Sequence, residues 1–221
     1  MNTENGSQID LKTVLALNIH EIKNLMALLM LKLDAIKSEN REVGDARLLC
    51  HRVNDCMEQM LLLFNLQTER LTPSIEAHSP ADFIEEFVQN AVVLAGDKIA
   101  IEMNVDAAPE YWFFDRDLIE MAMLNAVHNA LRYANKRIII SAALQNGELA
   151  LTVQDDGAGF PQAILDDPVG SLVSQRYEEM GLGLFFADII AKAHVNKDRQ
   201  GKLLLHNTGQ NQGGVFTLQL P

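Results

Sequence analysis

The feature that most constrains this chain is a change of hydrophobic period at Pro73. From about Ile9 to Arg70 the apolar residues keep a helical rhythm, with Leu11, Val14, Leu15, Ile22, Leu25, Met26, Leu29, Leu33 and Ile36 three or four residues apart. A polar break at 38–44 ends in Gly44, which suits a turn, and a second helix runs through Leu48, Leu49, Val53, Cys56, Met60, Leu63, Phe64 and Leu66. Two long helices with a short connection predict an antiparallel hairpin over residues 9–72. Ala27, Leu28, Met30, Leu31, Leu61 and Leu62 make its apolar stripe too broad for one hairpin to bury. A second copy is the natural partner, so the hairpin is expected to form a homodimeric four-helix bundle.

Beyond Pro73 the grammar is different. Residues 73–80 read as a linker, and residues 80–221 as a second domain. Its expected elements are a helix at 80–95, an alternating strand at 98–105, a short strand at 111–114 and a helix at about 116–134. Strands follow at 136–144 and 148–155, joined by Asn146-Gly147, a strong hairpin signal. An irregular stretch at 160–180 leads into a helix at 182–194, and strands near 202–206 and 214–220 close the chain. Helices on one face of a mixed sheet make this an α+β sandwich.

Charge and cysteine usage exclude several classes of function. A net charge of −12 is wrong for a nucleic-acid or anionic-membrane surface, which needs clustered Lys and Arg. A nucleotide needs only a local pocket and a metal, so it remains open. Cys50 and Cys56 are the only cysteines and give no disulfide framework, which fits a reduced compartment. The start lacks a basic-then-apolar signal, and charges break each apolar run short of a membrane span, so a cytoplasmic protein without membrane insertion is expected.

Three motifs in the second domain carry chemistry. Asn125 and Asn129 stand one helical turn apart, and a side-chain amide oxygen is a fair ligand for magnesium that also holds phosphate. Asp155 ends a strand, where a carboxylate can accept from an exocyclic amine such as that of adenine. It is followed by Gly157 and Gly159, which let backbone approach a ligand. Gly181-Leu182-Gly183-Leu184 then opens a helix whose free N–H groups favour phosphate. Each motif alone is common in ordinary turns and helices; the order of all three is not. In the first domain, His20 opens His20-Glu21-Ile22-Lys23-Asn24. Beside a carboxylate, and in a chain with a nucleotide pocket, it reads as a phosphate acceptor. His51, His78, His128, His194 and His206 lack metal-ligand spacing and read as structural.

With these residues in view, 80–221 resembles the ATP-binding domain of sensor histidine kinases, of the Bergerat type shared with type II topoisomerases, Hsp90 and MutL. Residues 125–133 look like the family's asparagine box, 155–160 and 181–184 like its two glycine boxes, and 214–221 like its usual ending. Residues 9–70 look like the dimerisation and histidine-phosphotransfer hairpin, with 20–24 as its histidine box. The resemblance implies ATP and Mg2+ as cofactors. It implies that His20 accepts the γ-phosphoryl group and that Glu21 polarises the imidazole as a base. It gives Asn129 the metal and Asp155 the adenine amine, with Asn125, Gly157, Gly159, Gly181 and Gly183 around the nucleotide. Arg132 is placed near the phosphates, Tyr133 beside the adenine, and Asn24 where related kinases position water for dephosphorylating a partner.

The chain departs from the family at Leu25, where a proline usually follows the histidine box, and at Glu179-Met180, where Gly-Thr or Gly-Ser is common. Its lid is also short. The reading is an ATP-dependent protein histidine kinase that passes its phosphoryl group to an aspartate on a response regulator receiver domain, with its input coming either from a separate sensor protein or from the rest of a larger protein of which this chain is a part. The alternative is a histidine phosphotransfer or scaffold protein with a degenerate ATP-binding domain. A serine/threonine kinase of the anti-sigma type is opposed by the histidine box.

Overall fold

The computed structural model describes residues 72–96, 98–167, 181–209 and 212–221, together with Ile22, Met26, Ala27, Leu29, Met30, Leu31, Leu33, Cys50, Val53 and Met57. The chain divides into two bodies, Met1–Leu71 and Thr72–Pro221. In the first, every described residue is helical, and Cys50 and Met57 are buried. The hairpin as a whole, with His20, Glu21, Asn24 and Leu25, lies outside the described residues, as does the dimer expected from it. Among the described residues no helix is long and apolar enough to cross a membrane.

The second body begins with β1 (Glu76–His78) and α1 (Pro80–Ala95), then β2 (Ala100–Ala107), β3 (Trp112–Phe114) and α2 (Arg116–Tyr133). It continues through β4 (Arg137–Gln145), β5 (Glu148–Asp155), α3 (Gln162–Asp166) and α4 (Gly181–Ala193), and ends in β6 (Val195–Asn196), β7 (Arg199–Gln200), β8 (Lys202–Gly209) and β9 (Gln212–Leu220). Five strands form one sheet in the order β2-β4-β5-β9-β8. β2 runs parallel to β4 and the remaining pairs are antiparallel, so the sheet is mixed, as the sequence implies.

Local chemistry accounts for the helix ends. Ser79 caps α1 by accepting the Asp82 N–H at 3.2 Å, and Pro80 sits in the first turn, where no intrahelical donor is lost. Asp115 caps α2 by accepting the Leu118 N–H at 3.0 Å. Between the caps, apolar residues at helical spacing turn inward: Phe83, Ile84, Phe87 and Ala91 on α1; Ile119, Met123, Ala126 and Ala130 on α2; Leu184, Ala187 and Ile190 on α4. The sheet answers with alternate residues on one face, Ile138, Ile140 and Ala142 from β4 and Leu149, Leu151 and Val153 from β5. Register stacks this face across strands, with Ile140 opposite Val153 and Val153 opposite Phe216. Each large side chain buried here contributes about 1.5–3 kcal/mol. Asn146 (φ 53°) and Gly147 (φ 77°) make the left-handed turn that joins β4 to β5.

The structure corrects the sequence reading in three places. The segment read as linker contains β1, which pairs with β3, Glu76 opposite Phe114 and His78 opposite Trp112. The irregular stretch contains α3, and the approach to the last strands contains the β6–β7 hairpin. All four elements have two to five residues, too few to show a period, and their stability comes from what they pack on. β1, for example, pairs with β3 and packs its His78 ring 4.9 Å from Phe114, which is fully buried with its ring 5.4 Å from Phe83.

Candidate functional site

A cavity of about 350 Å3 opens between α2, α4 and the end of the sheet. That volume is in the range of small-molecule pockets. α2 forms one wall because its inward face recurs every three or four residues, which brings Ala126, Asn129, Ala130 and Tyr133 to the same side. Val153 and Phe216 from the sheet and Leu184 from α4 make the opposite wall apolar. The loop after β5 closes the end with Gly159, Phe160 and Pro161.

Asp155 is the last residue of β5 and lines the cavity. Its Oδ1 accepts the Gly157 N–H at 2.7 Å, while its Oδ2 lies beside Gly214 of β9. Gly157 itself rests on the end of α2, where a Cβ would meet the Tyr133 carbonyl oxygen at 2.2 Å, so only glycine allows this approach. Asp156 faces away and ties the loop to the chain leaving α2. Its carboxylate accepts backbone N–H bonds from Asn135 (2.8 Å), Lys136 (3.0 Å) and Arg137 (3.2 Å). Partial burial is the largest influence on this carboxyl and pushes its pKa up, but the backbone donors together outweigh it and hold the group below the usual carboxylate value.

Of the residues singled out in the sequence, Asn129, Tyr133, Asp155 and Gly159 come together around the cavity. Asn125 turns elsewhere. Its Nδ2 donates to the Met121 carbonyl at 3.1 Å, and its amide lies against Gly183, where a Cβ would be 3.5 Å away. The two residues thus set the approach of α2 to α4. The Arg132 guanidinium lies 5.5 Å from the centre of the Tyr133 ring. Gly181 is the first residue of α4. Glu179, Met180 and most of the lid lie outside the described residues. The sequence reading did not single out Ala130, Phe160, Leu184, Gly214 and Phe216 as wall residues, though all five fall inside the motifs it quoted. It gave no sign of the tie made by Asp156.

Chemically, the cavity is an apolar slot with a carboxylate at one edge and a carboxamide on its helical wall. It suits a flat heterocycle with an N–H donor aimed at Asp155. No three His, Cys, Asp or Glu cluster among the described residues. Asn129 offers a single amide oxygen, a donor set that fits an ion whose other ligands are phosphate and water.

Residues 114–221 match the family described as histidine kinase-, DNA gyrase B-, and HSP90-like ATPase. The chain is 27% identical over 177 residues to the signal transduction histidine-protein kinase AfsQ2 of Streptomyces coelicolor, covering 77% of this chain and 31% of that protein. It is 26% identical over 203 residues to the sensor protein PhoQ of Escherichia coli K12, covering 88% of this chain and 41% of PhoQ. The chain therefore matches well under half the length of these relatives. In fold it resembles the Acinetobacter baumannii histidine kinase AdeS, with a TM-score of 0.58 at 17% identity over 91% of this chain and 94% of that one. The expected resemblance to the catalytic core of sensor histidine kinases is thus found in sequence and in fold.

Proposed function

We propose, from the match of residues 114–221 to the histidine kinase-, DNA gyrase B-, and HSP90-like ATPase family, that this chain is an ATP-dependent protein histidine kinase. Its phosphoryl acceptor is His20, and its product hands the group to an aspartate of a response regulator. The observation that carries the reading is the slot holding Asn129 and Asp155, on a chain that also contains His20-Glu21.

In this reading Asp155 keeps Oδ1 on the Gly157 N–H and accepts the adenine amine on Oδ2. Ala130, Val153, Leu184 and Phe216 exclude water from the ring faces, which strengthens that hydrogen bond. Tyr133 borders the base, and Arg132 lies on the phosphate side. Asn129 holds Mg2+, which when bound neutralises phosphate charge. The N–H groups opening α4 at Gly181 and Gly183 face the phosphates. Asn125 supports the site indirectly, by spacing α2 from α4 at Gly183. Glu21 holds the His20 imidazole in the tautomer whose free nitrogen attacks, and Asn24 positions water in the reverse, dephosphorylating reaction. Positioning and charge neutralisation carry most of such a rate. The chain works as a homodimer in the cytoplasm.

Incubation with γ-labelled ATP and magnesium tests the reading. Acid-labile label on the wild type, lost in both His20→Ala and Asn129→Ala, is the expected result. Absence of label together with absence of ATP binding would sink it and leave the phosphotransfer or scaffold reading.

A further inference from the structure

The loop that closes the cavity is held from outside by a side chain that no sequence motif marks. Asn207 sits on β8, opposite Gly214 of β9 in the sheet register, on the same face as Leu203 and Leu205. Its carboxamide binds both backbone groups of Phe160. Oδ1 accepts the Phe160 N–H at 2.7 Å, and Nδ2 donates to the Phe160 carbonyl at 2.9 Å. This reproduces the two-bond pairing of a strand on a residue that belongs to none.

The neighbours are shaped to this contact. Gly159 has φ +80°, and a Cβ there would meet Oδ1, Cγ and Nδ2 of Asn207 at 2.7–2.9 Å. The Phe160 ring packs over Gly214, where a Cβ would lie 3.1 Å from the ring and 2.7 Å from Asp155 Oδ2. Asn207 therefore determines where Phe160 stands, and Phe160 in turn shares the Gly214 wall with the carboxylate of Asp155.

We propose that Asn207 is a positioning residue for the nucleotide site, holding the 155–160 loop in its binding shape before nucleotide arrives. The inference rests on the reading that the cavity binds ATP. Its chemistry is specific, because the position needs one acceptor and one donor in one plane. Alanine supplies neither. A carboxylate supplies the acceptor but sets a negative oxygen against the Phe160 carbonyl. A protonated carboxyl has the amide's shape and restores the donor.

The test measures ATP affinity by calorimetry, with magnesium, on the full chain as wild type, Asn207→Ala and Asn207→Asp between pH 4 and pH 8, a range that reaches the ordinary aspartate pKa of about 3.9. Melting temperatures identify any variant that fails to fold. Two hydrogen bonds at about 0.5–1.5 kcal/mol each correspond together to roughly 5- to 150-fold in affinity. Asn207→Ala is expected to bind about tenfold more weakly than wild type at every pH. The Asn207→Asp deficit is expected to be as large at pH 8 and to shrink as pH falls, which a purely packing role would not produce. Affinity of Asn207→Ala within twofold of wild type, or an Asn207→Asp deficit that does not change with pH, overturns the inference. A wild type that does not bind ATP overturns the proposed function and this inference together.

Discussion

Two residues, one ending β5 and one in the loop after it, show how little freedom the site allows. Gly157 passes so close to the Tyr133 carbonyl that a methyl group would sit 2.2 Å from a backbone oxygen. Gly157→Ala is therefore expected to destabilise the protein by about 1–3 kcal/mol in urea unfolding and to abolish ATP binding, since the loop must lift off α2. A variant as stable and as tightly bound as wild type would remove the steric argument. Asp155→Asn presents the same shape without the charge and can turn a donor toward the base amine. Affinity for ATP should fall about 10- to 100-fold, measured by calorimetry, with little change in melting temperature. Both residues were legible in the sequence because Asp-x-Gly-x-Gly is a local pattern. Asn207 and Gly214 were not, because their roles arise from pairing between β8 and β9 and from a loop about 47 residues earlier in the chain.

The elements are tied by contacts that have no sequence signature. His194 follows α4 and is almost fully buried, with its Nε2 accepting the Asp115 N–H at 3.0 Å. Its Nδ1 must then carry the proton and donate to the Ile190 carbonyl at 2.7 Å. Asp115 also caps α2 and accepts the Ser74 N–H at 2.8 Å, so one cluster joins the ends of two helices and the start of the second body. Burial is the main cause that holds the His194 pKa below its ordinary 6.5, with the Ile190 carbonyl and Asp115 acting the other way. A folded value below the unfolded one means the unfolded chain takes up the proton first. This contribution is present above pH 6.5 and is lost as pH falls from there toward the folded value. Urea midpoints at pH 7.5 and pH 5.5 should show the wild type losing more of its stability than His194→Gln does. Equal losses would dismiss the histidine as the cause. The sequence reading of His194 as structural agrees with its place here, but the partner it holds was invisible. The helices α1, α2 and α4 were legible to within one residue because each shows three or more turns of period and has local end signals.

At the scale of the whole molecule, the division at Leu71 means that Thr72–Pro221 has its own sheet and its own core. A fragment of residues 72–221 is expected to melt cooperatively by circular dichroism and to bind ATP within a few-fold of the full chain, with no phosphorylation of itself. A fragment that is unfolded would show that the core depends on residues 1–71. The full chain should sediment near twice 24.6 kDa, and a monomer at micromolar concentration would refute the dimer expected from the broad apolar stripe. The sequence by itself determined that the period changes near Pro73, that long helices and a mixed set of strands follow, and that three nucleotide-type motifs occur in order. Each of these is a property of residues within a few positions of one another, where backbone geometry dictates the pattern. Only the tertiary structure decided that Asn129 and Asp155 share a cavity while Asn125 packs on Gly183, that β1 pairs with β3, and that Asn207 holds Phe160. Those relations depend on strand order and register, which bring together residues tens of positions apart. Local propensity does not encode which of the possible distant partners will meet.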